Sequence, residues 1–255
     1  ARAMRDAGAG CVITIGGDGT HRAVAMGWPD VVFASLPAGT NNAFASSVDP
    51  TVLGLAAAIY ASDPGGYVSF SSRVPRLDIS IDGEAALIAL VDVATVRGSW
   101  VGSRAMWEAP QLVEAVVTRA DPTVTGIAGI AGMTGRRCDG GALHLRFGEP
   151  GMRVLAPLGP GQIGFASLRS VDRVRSGDRV ELRGGVTIAF DGEREVVLSK
   201  GRSAAVTLAP HGPSVIQAEA LVRAAAENGR FVSAACAGTR PRSGQIPEER
   251  SNDAE

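Results

Sequence analysis

Lysine is almost missing from this chain of 255 residues: Lys200 is its only one, and the other 24 basic residues are arginine. A P-loop needs a lysine directly after its glycines, and Lys200 sits in Ser199-Lys200-Gly201, so that fold is excluded. Cysteine is nearly as scarce. Cys11, Cys138 and Cys236 lie far apart, form neither a CxxC metal pattern nor a disulfide framework, and fit a reducing cytoplasm. His21, His144 and His211 show no metal-ligand spacing, and each reads as a surface or capping residue. Neither charge dominates: 25 Lys+Arg against 26 Asp+Glu leave −1, too little to draw in nucleic acid or an anionic membrane. Apolar runs such as Ala85–Val91 fall far short of the roughly 20 residues of a membrane span. The chain opens at Ala1 without a charged-then-apolar leader, and its first residues read as the end of a helix, so a segment upstream is expected.

What is present is globular. Apolar residues make up 45% and charged residues 20%, enough to build a core, and about 150 residues per domain allows one large or two small domains. Cys11–Ile15 is a β-branched run that predicts a strand buried on both faces. It enters Gly16-Gly17-Asp18-Gly19-Thr20, with Thr20 as N-cap of a helix over His21–Met26. Val31–Leu36 is a second strand, followed by Pro37-Ala38-Gly39-Thr40-Asn41-Asn42 and then a helix over Pro50–Ser62. This order is the grammar of a parallel α/β sheet.

The grammar changes after Asp63-Pro64-Gly65-Gly66. Leu77–Ile81, the turn Asp82-Gly83 and a return strand over Ala85–Val96 read as a hairpin. Trp107–Ala120 has helical spacing, and the Gly126/Gly129/Gly132/Gly135 series reads as a small-residue loop or strand edge. From Ala142 to Leu208 short strands follow one another closely, and Gln217–Glu227 is a closing helix. The expected fold class is α/β plus all-β. A truncated Rossmann-like α/β domain covers residues 1–70, a β-sandwich-like domain covers 71–236, and a disordered tail covers 237–255. Gly159-Pro160-Gly161-Gln162-Ile163-Gly164 spells GxGxxG, but it holds a proline and opens no helix, so it is not a dinucleotide fingerprint.

Three loops could carry chemistry. In GGDGT a strand ends, glycines turn the backbone and a helix begins, which is a ready phosphate cradle. Asp18 inside it would repel phosphate unless it helps hold Mg²⁺ or takes a proton from an attacking hydroxyl; the plain alternative is a capping residue. Thr40, Asn41 and Asn42 offer hydroxyl and amide groups at the carboxyl end of the next strand, where open parallel sheets bind ligands; helix capping is the plain alternative. Asp191-Gly192-Glu193 is either a bare hairpin turn or a carboxylate pair brought across from the second domain.

Together these residues resemble the superfamily of NAD kinases, diacylglycerol-type lipid kinases and sphingosine kinases. Thr20-His21-Arg22-Ala23-Val24-Ala25, Gly39-Thr40-Asn41-Asn42, Val101–Trp107 and Phe190–Glu195 are similar to the acetoin-catabolism protein X branch of ATP-NAD kinase-like proteins. The resemblance spans Val12 to Phe231. It implies an NAD kinase-like fold and an ATP- and Mg²⁺-dependent kinase with the acceptor hydroxyl between two domains. Asp18 would be base or acceptor-hydroxyl partner and Glu193 its assistant. Gly16, Gly17, Gly19, Thr20, Gly39, Thr40, Asn41 and Asn42 would hold nucleotide, and Asp191 and Asp92 would face the acceptor. A homo-oligomer through the β-rich domain follows by the same analogy. NAD kinases carry an Asn-Glu pair on a strand of the second domain, where this chain reads Leu90-Val91-Asp92-Val93. The acceptor therefore stays open between NAD, a lipid and a small metabolite, with a catalytically silent nucleotide sensor as the reading outside enzymes.

Overall fold

The computed structural model describes residues 1–40, 42–97, 111–192 and 194–232. After a short helix α1 (Arg2–Asp6), strand β1 (Val12–Gly16) pairs in parallel with β2 (Val32–Pro37), with Val12 opposite Phe33. Helix α2 (Asp18–Gly27) crosses between them, and α3 (Pro50–Ser62) follows. The start of α3 is fixed locally. The Asp49 carboxylate accepts from the Thr51 and Val52 amides at 2.8 and 3.3 Å, and Pro50 fills the first helical position. A cap of this kind contributes about 1 kcal/mol.

The rest of this sheet comes from distant chain. Strand β14 (Ser214–Ile216) lies parallel to β2, and β3 (Ser71–Arg73) closes the sheet antiparallel to β14. Helix α5 (Ala218–Glu227) then packs beside α3, where Ala34, Leu53, Ala57, Ile216 and Leu221 form one core. A division after residue 70 follows chain order, whereas strand pairing places 71–73 and 214–216 in the sheet that carries GGDGT.

The β-rich part holds two antiparallel sheets. One runs β10 (Arg179–Arg183), β13 (Ser203–Ala209), β4 (Arg76–Ile81), β5 (Glu84–Ala89). The other runs β12 (Arg194–Leu198), β11 (Val186–Phe190), β6 (Asp92–Val96), β7 (Leu112–Val117), β8 (Ala142–Gly159), β9 (Gln162–Val174). Leu77, Ile79 and Val206 of the first meet Val93, Val116, Ile188 and Phe190 of the second. Each such side chain contributes about 1.5–3 kcal/mol by leaving water. Helix α4 (Ile127–Met133) covers the outer face of the six-stranded sheet. Val12, Phe33 and Phe44 pack with Leu90, Val91 and Ala128, so one apolar cluster joins the α/β sheet to the β-rich part.

Several local expectations give way. The strand expected over Ala85–Val96 is two strands in different sheets, broken at Leu90-Val91, where the chain's amides turn to the Asp191 carboxylate instead of to a ladder. Leu112–Val117 is a strand: β-branched Val113, Val116 and Val117 sit between β6 and β8, and tertiary pairing overrides helical spacing. The glycine series forms α4, because Gly129 and Gly132 let the helix press against the backbone of Val124 and Asp121. β1 is an edge strand with one bare face, leaving Ile13 and Ile15 52% and 66% exposed. His21 and His144 are buried. His21 bonds Gly17, and His144 Nε2 lies 2.7 Å from Glu114 Oε2. The Asp82-Gly83 turn has positive φ at both residues, as its sequence demands, and Pro160-Gly161 makes the β8–β9 turn.

Candidate active site

The site is assembled where β1 and β2 end. Helix α2 begins one turn earlier than its sequence suggests. Gly17 is the N-cap, Asp18 the first helical residue, and Thr20 lies exposed within the first turn. The two glycine loops touch backbone to backbone: a Cβ on Gly39 would stand 2.5 Å from Gly17 Cα, and the Ala38 amide donates to the Gly16 carbonyl at 3.0 Å. Only glycine permits this approach. The Asn42 side chain closes the second loop on itself, accepting from the Gly39 amide at 2.8 Å and donating to the Gly39 carbonyl at 2.7 Å. Thr40 is exposed beside it.

Asp18 ties this loop to α2. It is buried, and its two oxygens accept from the Ala43 amide at 3.0 Å and the Phe44 amide at 2.8 Å. His21, unremarkable in sequence, supports the same turn. Its Nδ1 is 2.8 Å from the Gly17 carbonyl and its ring lies against Phe33 and Phe44. Burial holds its pKa below the ordinary value, so Nδ1–H donates from a neutral ring. Arg119 reaches in from beyond β7, donating to the Ala43 carbonyl at 2.9 Å with its guanidinium over the Phe44 ring. Burial lowers its pKa, partly offset by the Asp18 charge.

The β-rich part answers with its own buried acid. Asp191, at positive φ just past β11, accepts from three successive amides: Leu90 at 3.1 Å, Val91 at 2.8 Å and Asp92 at 3.2 Å. Its own amide donates back to the Asp92 carbonyl at 3.0 Å. Arg22 Nε stands 3.6 Å from Asp191 Oδ2, both side chains being buried. Burial pushes the Asp191 carboxyl up to about 7 against the pull of these amides, and the charge of Asp18 adds to the rise. Asp92 is half-buried at the start of β6, and its carboxyl makes no hydrogen bond among the described residues. Burial and then the charges of Asp191 and Asp18 hold its pKa well above the carboxylate range.

Asp18, Asp92 and Asp191 line one pocket, together with Ala43, Ala94 and Gly126. Its volume is about 10 Å³, room for about one water-sized group. The structure thus brings GGDGT, the end of the GTNN loop, β6 and the DGE turn together. Asn41, Glu193 and the Val101–Trp107 segment lie outside the described residues. Arg119 was not singled out in sequence, Arg22 entered only within the Thr20–Ala25 motif and His21 also as a surface or capping residue; an arginine or histidine beside a motif carries no role until its partner is known. Among the described residues no group of three or more His, Cys, Asp or Glu side chains is placed to hold a metal. The oxygens of Asp18 and Asp191 accept from backbone amides, so neither carboxylate stands open to a metal among the described residues. Cys11 and Cys138 are free thiols whose pKa burial raises, that of Cys138 to about 11, which suits packing better than nucleophilic chemistry.

Residues 1–61 match the model of the diacylglycerol kinase catalytic domain. Yeast NADH kinase, in a crystal structure with NADH, overlaps 90% of this chain and 69% of its own at TM-score 0.54 and 14% identity, which fixes the fold as NAD kinase-like. An NAD kinase from Archaeoglobus fulgidus overlaps 88% of this chain and 84% of its own at TM-score 0.40 and 12% identity. The acetoin catabolism protein X of Cupriavidus necator is 38% identical over 88% of this chain. The chain spans 65% of that relative's length. Residues 75–211, more than half of the chain, match the C-terminal domain model of that same protein type. The chain therefore belongs to the acetoin catabolism protein X family, on a fold shared with NAD kinases.

Proposed function

We propose that the protein is an ATP-dependent kinase, NAD kinase-like in mechanism, that transfers a phosphoryl group to a hydroxyl in the cleft between its α/β and β-rich parts. The observation that carries this reading is the convergence of Asp18, Asp92 and Asp191 on one small pocket at the mouth of two glycine loops. Gly16, Gly17, Gly19, Thr20, Gly39, Thr40, Asn41 and Asn42 hold the triphosphate through backbone amides and short polar groups. Asp18 orients the acceptor hydroxyl through its buried carboxylate. Glu193 assists, and Asp92 and Asp191 wall the acceptor side. Mg²⁺ brought in with the triphosphate would neutralise its charge.

A second reading concerns the acceptor. Val91 is fully buried in the cluster that joins the two parts. The position that carries asparagine in NAD kinases is thus occupied by core. That favours an acceptor other than NAD, such as a lipid hydroxyl or a small metabolite, over NADP biosynthesis; a silent nucleotide sensor is the remaining alternative. The free thiols support a cytoplasmic location, and no helix among the described residues is long and apolar enough to cross a membrane. Exposed Leu155, Ile163 and Phe165 on and beside the edge strand β9 support a homo-oligomer through the β-rich part. Incubation with Mg²⁺ and [γ-³²P]ATP, offering NAD, diacylglycerol or acetoin, tests the reading. Label in NADP restores NAD as acceptor, label in another compound keeps the kinase alone, and ATP binding without any label leaves the sensor.

A further inference from the structure

The three carboxyls of the pocket are not equivalent. Both oxygens of Asp18 hold the Ala43 and Phe44 amides, and those of Asp191 hold the Leu90, Val91 and Asp92 amides. A carboxylate whose oxygens are taken up by two or more amides has less lone-pair capacity left to meet a substrate hydroxyl. Asp92 differs. Its backbone is anchored on both sides, by its amide to Asp191 and its carbonyl to the Asp191 amide, while its carboxyl faces the pocket without a hydrogen bond among the described residues. We propose that Asp92 is the group that takes the proton from the acceptor hydroxyl, with Asp18 and Asp191 as the positioning residues that build the pocket around it. The assignment rests on the kinase reading above and names a residue that neither GGDGT nor the DGE turn contains.

The step balances. The acceptor oxygen bonds to the γ-phosphorus of a nucleoside triphosphate, the bond from that phosphorus to the β,γ-bridging oxygen breaks, and its electron pair leaves with the diphosphate. The hydroxyl proton passes to the Asp92 carboxylate. The charged groups that act on Asp92 are Asp191, past β11, and Asp18, from α2; Arg22 stands beside Asp191, and Arg119 feels the charge of Asp18. Burial first, and then the charges of Asp191 and Asp18, favour the protonated form of Asp92, so turnover through its carboxylate rises with pH.

The test uses the whole protein with Mg²⁺ and [γ-³²P]ATP. It follows phosphate release to water as well as transfer to NAD, diacylglycerol in mixed micelles and acetoin, since a water-sized group fits the pocket. Asp92→Asn should lower turnover by about 10²–10⁴-fold with ATP affinity unchanged by calorimetry. It should abolish the limb of the pH profile that rises with pH, while melting at a temperature no lower than that of the parent. A purely structural residue would lower stability and spare the pH limb. Asp92→Ser provides the same comparison should the asparagine variant not fold. Turnover in either variant within about threefold of the parent, against the expected hundredfold or more, overturns the assignment and leaves the kinase reading standing. A parent protein that neither hydrolyses ATP nor labels any acceptor overturns the kinase reading, and this assignment with it.

Discussion

Asp18 in the α/β part and Asp191 in the β-rich part both use a buried carboxylate to grip the backbone of a loop, yet their surroundings differ. Asp18 holds two amides some 25 residues away, with Arg119 close enough to feel its charge. Asp191 holds three amides about 100 residues away and sits so deep that its carboxyl is pushed up to about 7. The first joins neighbouring loops of one sheet. The second pins the point where the chain leaves one β-sheet and enters the next. Residues that look like reactive acids in a motif can thus be scaffolding, and the carboxyl they frame can lie in an unremarkable strand.

The largest effect should come from breaking the longer grip. Asp191→Ala leaves three amides without their partner and Arg22 without its counter-charge. At about 1–3 kcal/mol per buried unsatisfied group, we expect loss of most of the folding stability, read by urea unfolding. Asp18→Ala strands two amides, so it should cost less in the same assay while removing turnover. An Asp18→Ala protein less stable than Asp191→Ala would reverse the ranking of the two grips. Gly39→Ala comes next. The added Cβ meets Gly17 Cα, the loops separate, and we expect a loss of about 1–3 kcal/mol with weaker ATP binding by calorimetry.

Asp92→Asn sharpens the comparison from the other side. Its folded pKa lies above that of an unfolded aspartate, so the folded form keeps the proton longer and ionisation penalises folding. That penalty is absent below about pH 4 and grows as pH rises. The variant should therefore match the parent near that pH and melt above it at neutrality, measured by calorimetry across the range. Smallest of all is Thr40→Ala, at an exposed site, where stability should stay within about 0.5 kcal/mol while ATP affinity falls a few-fold.

The α/β grammar, the hairpin at Asp82-Gly83 and most strands after Ala142 could be read from periodicity and turn residues, because those signals are local. What escaped was non-local. Leu112–Val117 has a spacing compatible with either element until β6 and β8 flank it. The break at Leu90-Val91 inside an apolar run depends on an aspartate about 100 residues downstream. The positions in the pocket were legible through Asp18, Asp92 and Asp191, but their hydrogen bonding was not, and it is the bonding that separates the gripping acids from the open one. Arg22, Arg119 and the burial of His21 became visible only with their partners.

The insertion of β14 between β2 and β3 has a consequence for how the molecule is made. The parallel pair of β1 and β2 emerges from the ribosome early, but its third strand at Ser214–Ile216 follows only after every β-rich strand has been synthesised. Domains tend to fold as units during synthesis, and contacts of high sequence separation form late. The β-rich sheets can therefore fold while the nucleotide face still waits with β2 unpaired on one edge. The glycine loops would gain their final rigidity last, after the partner that supplies Asp92 and Asp191 is already in place.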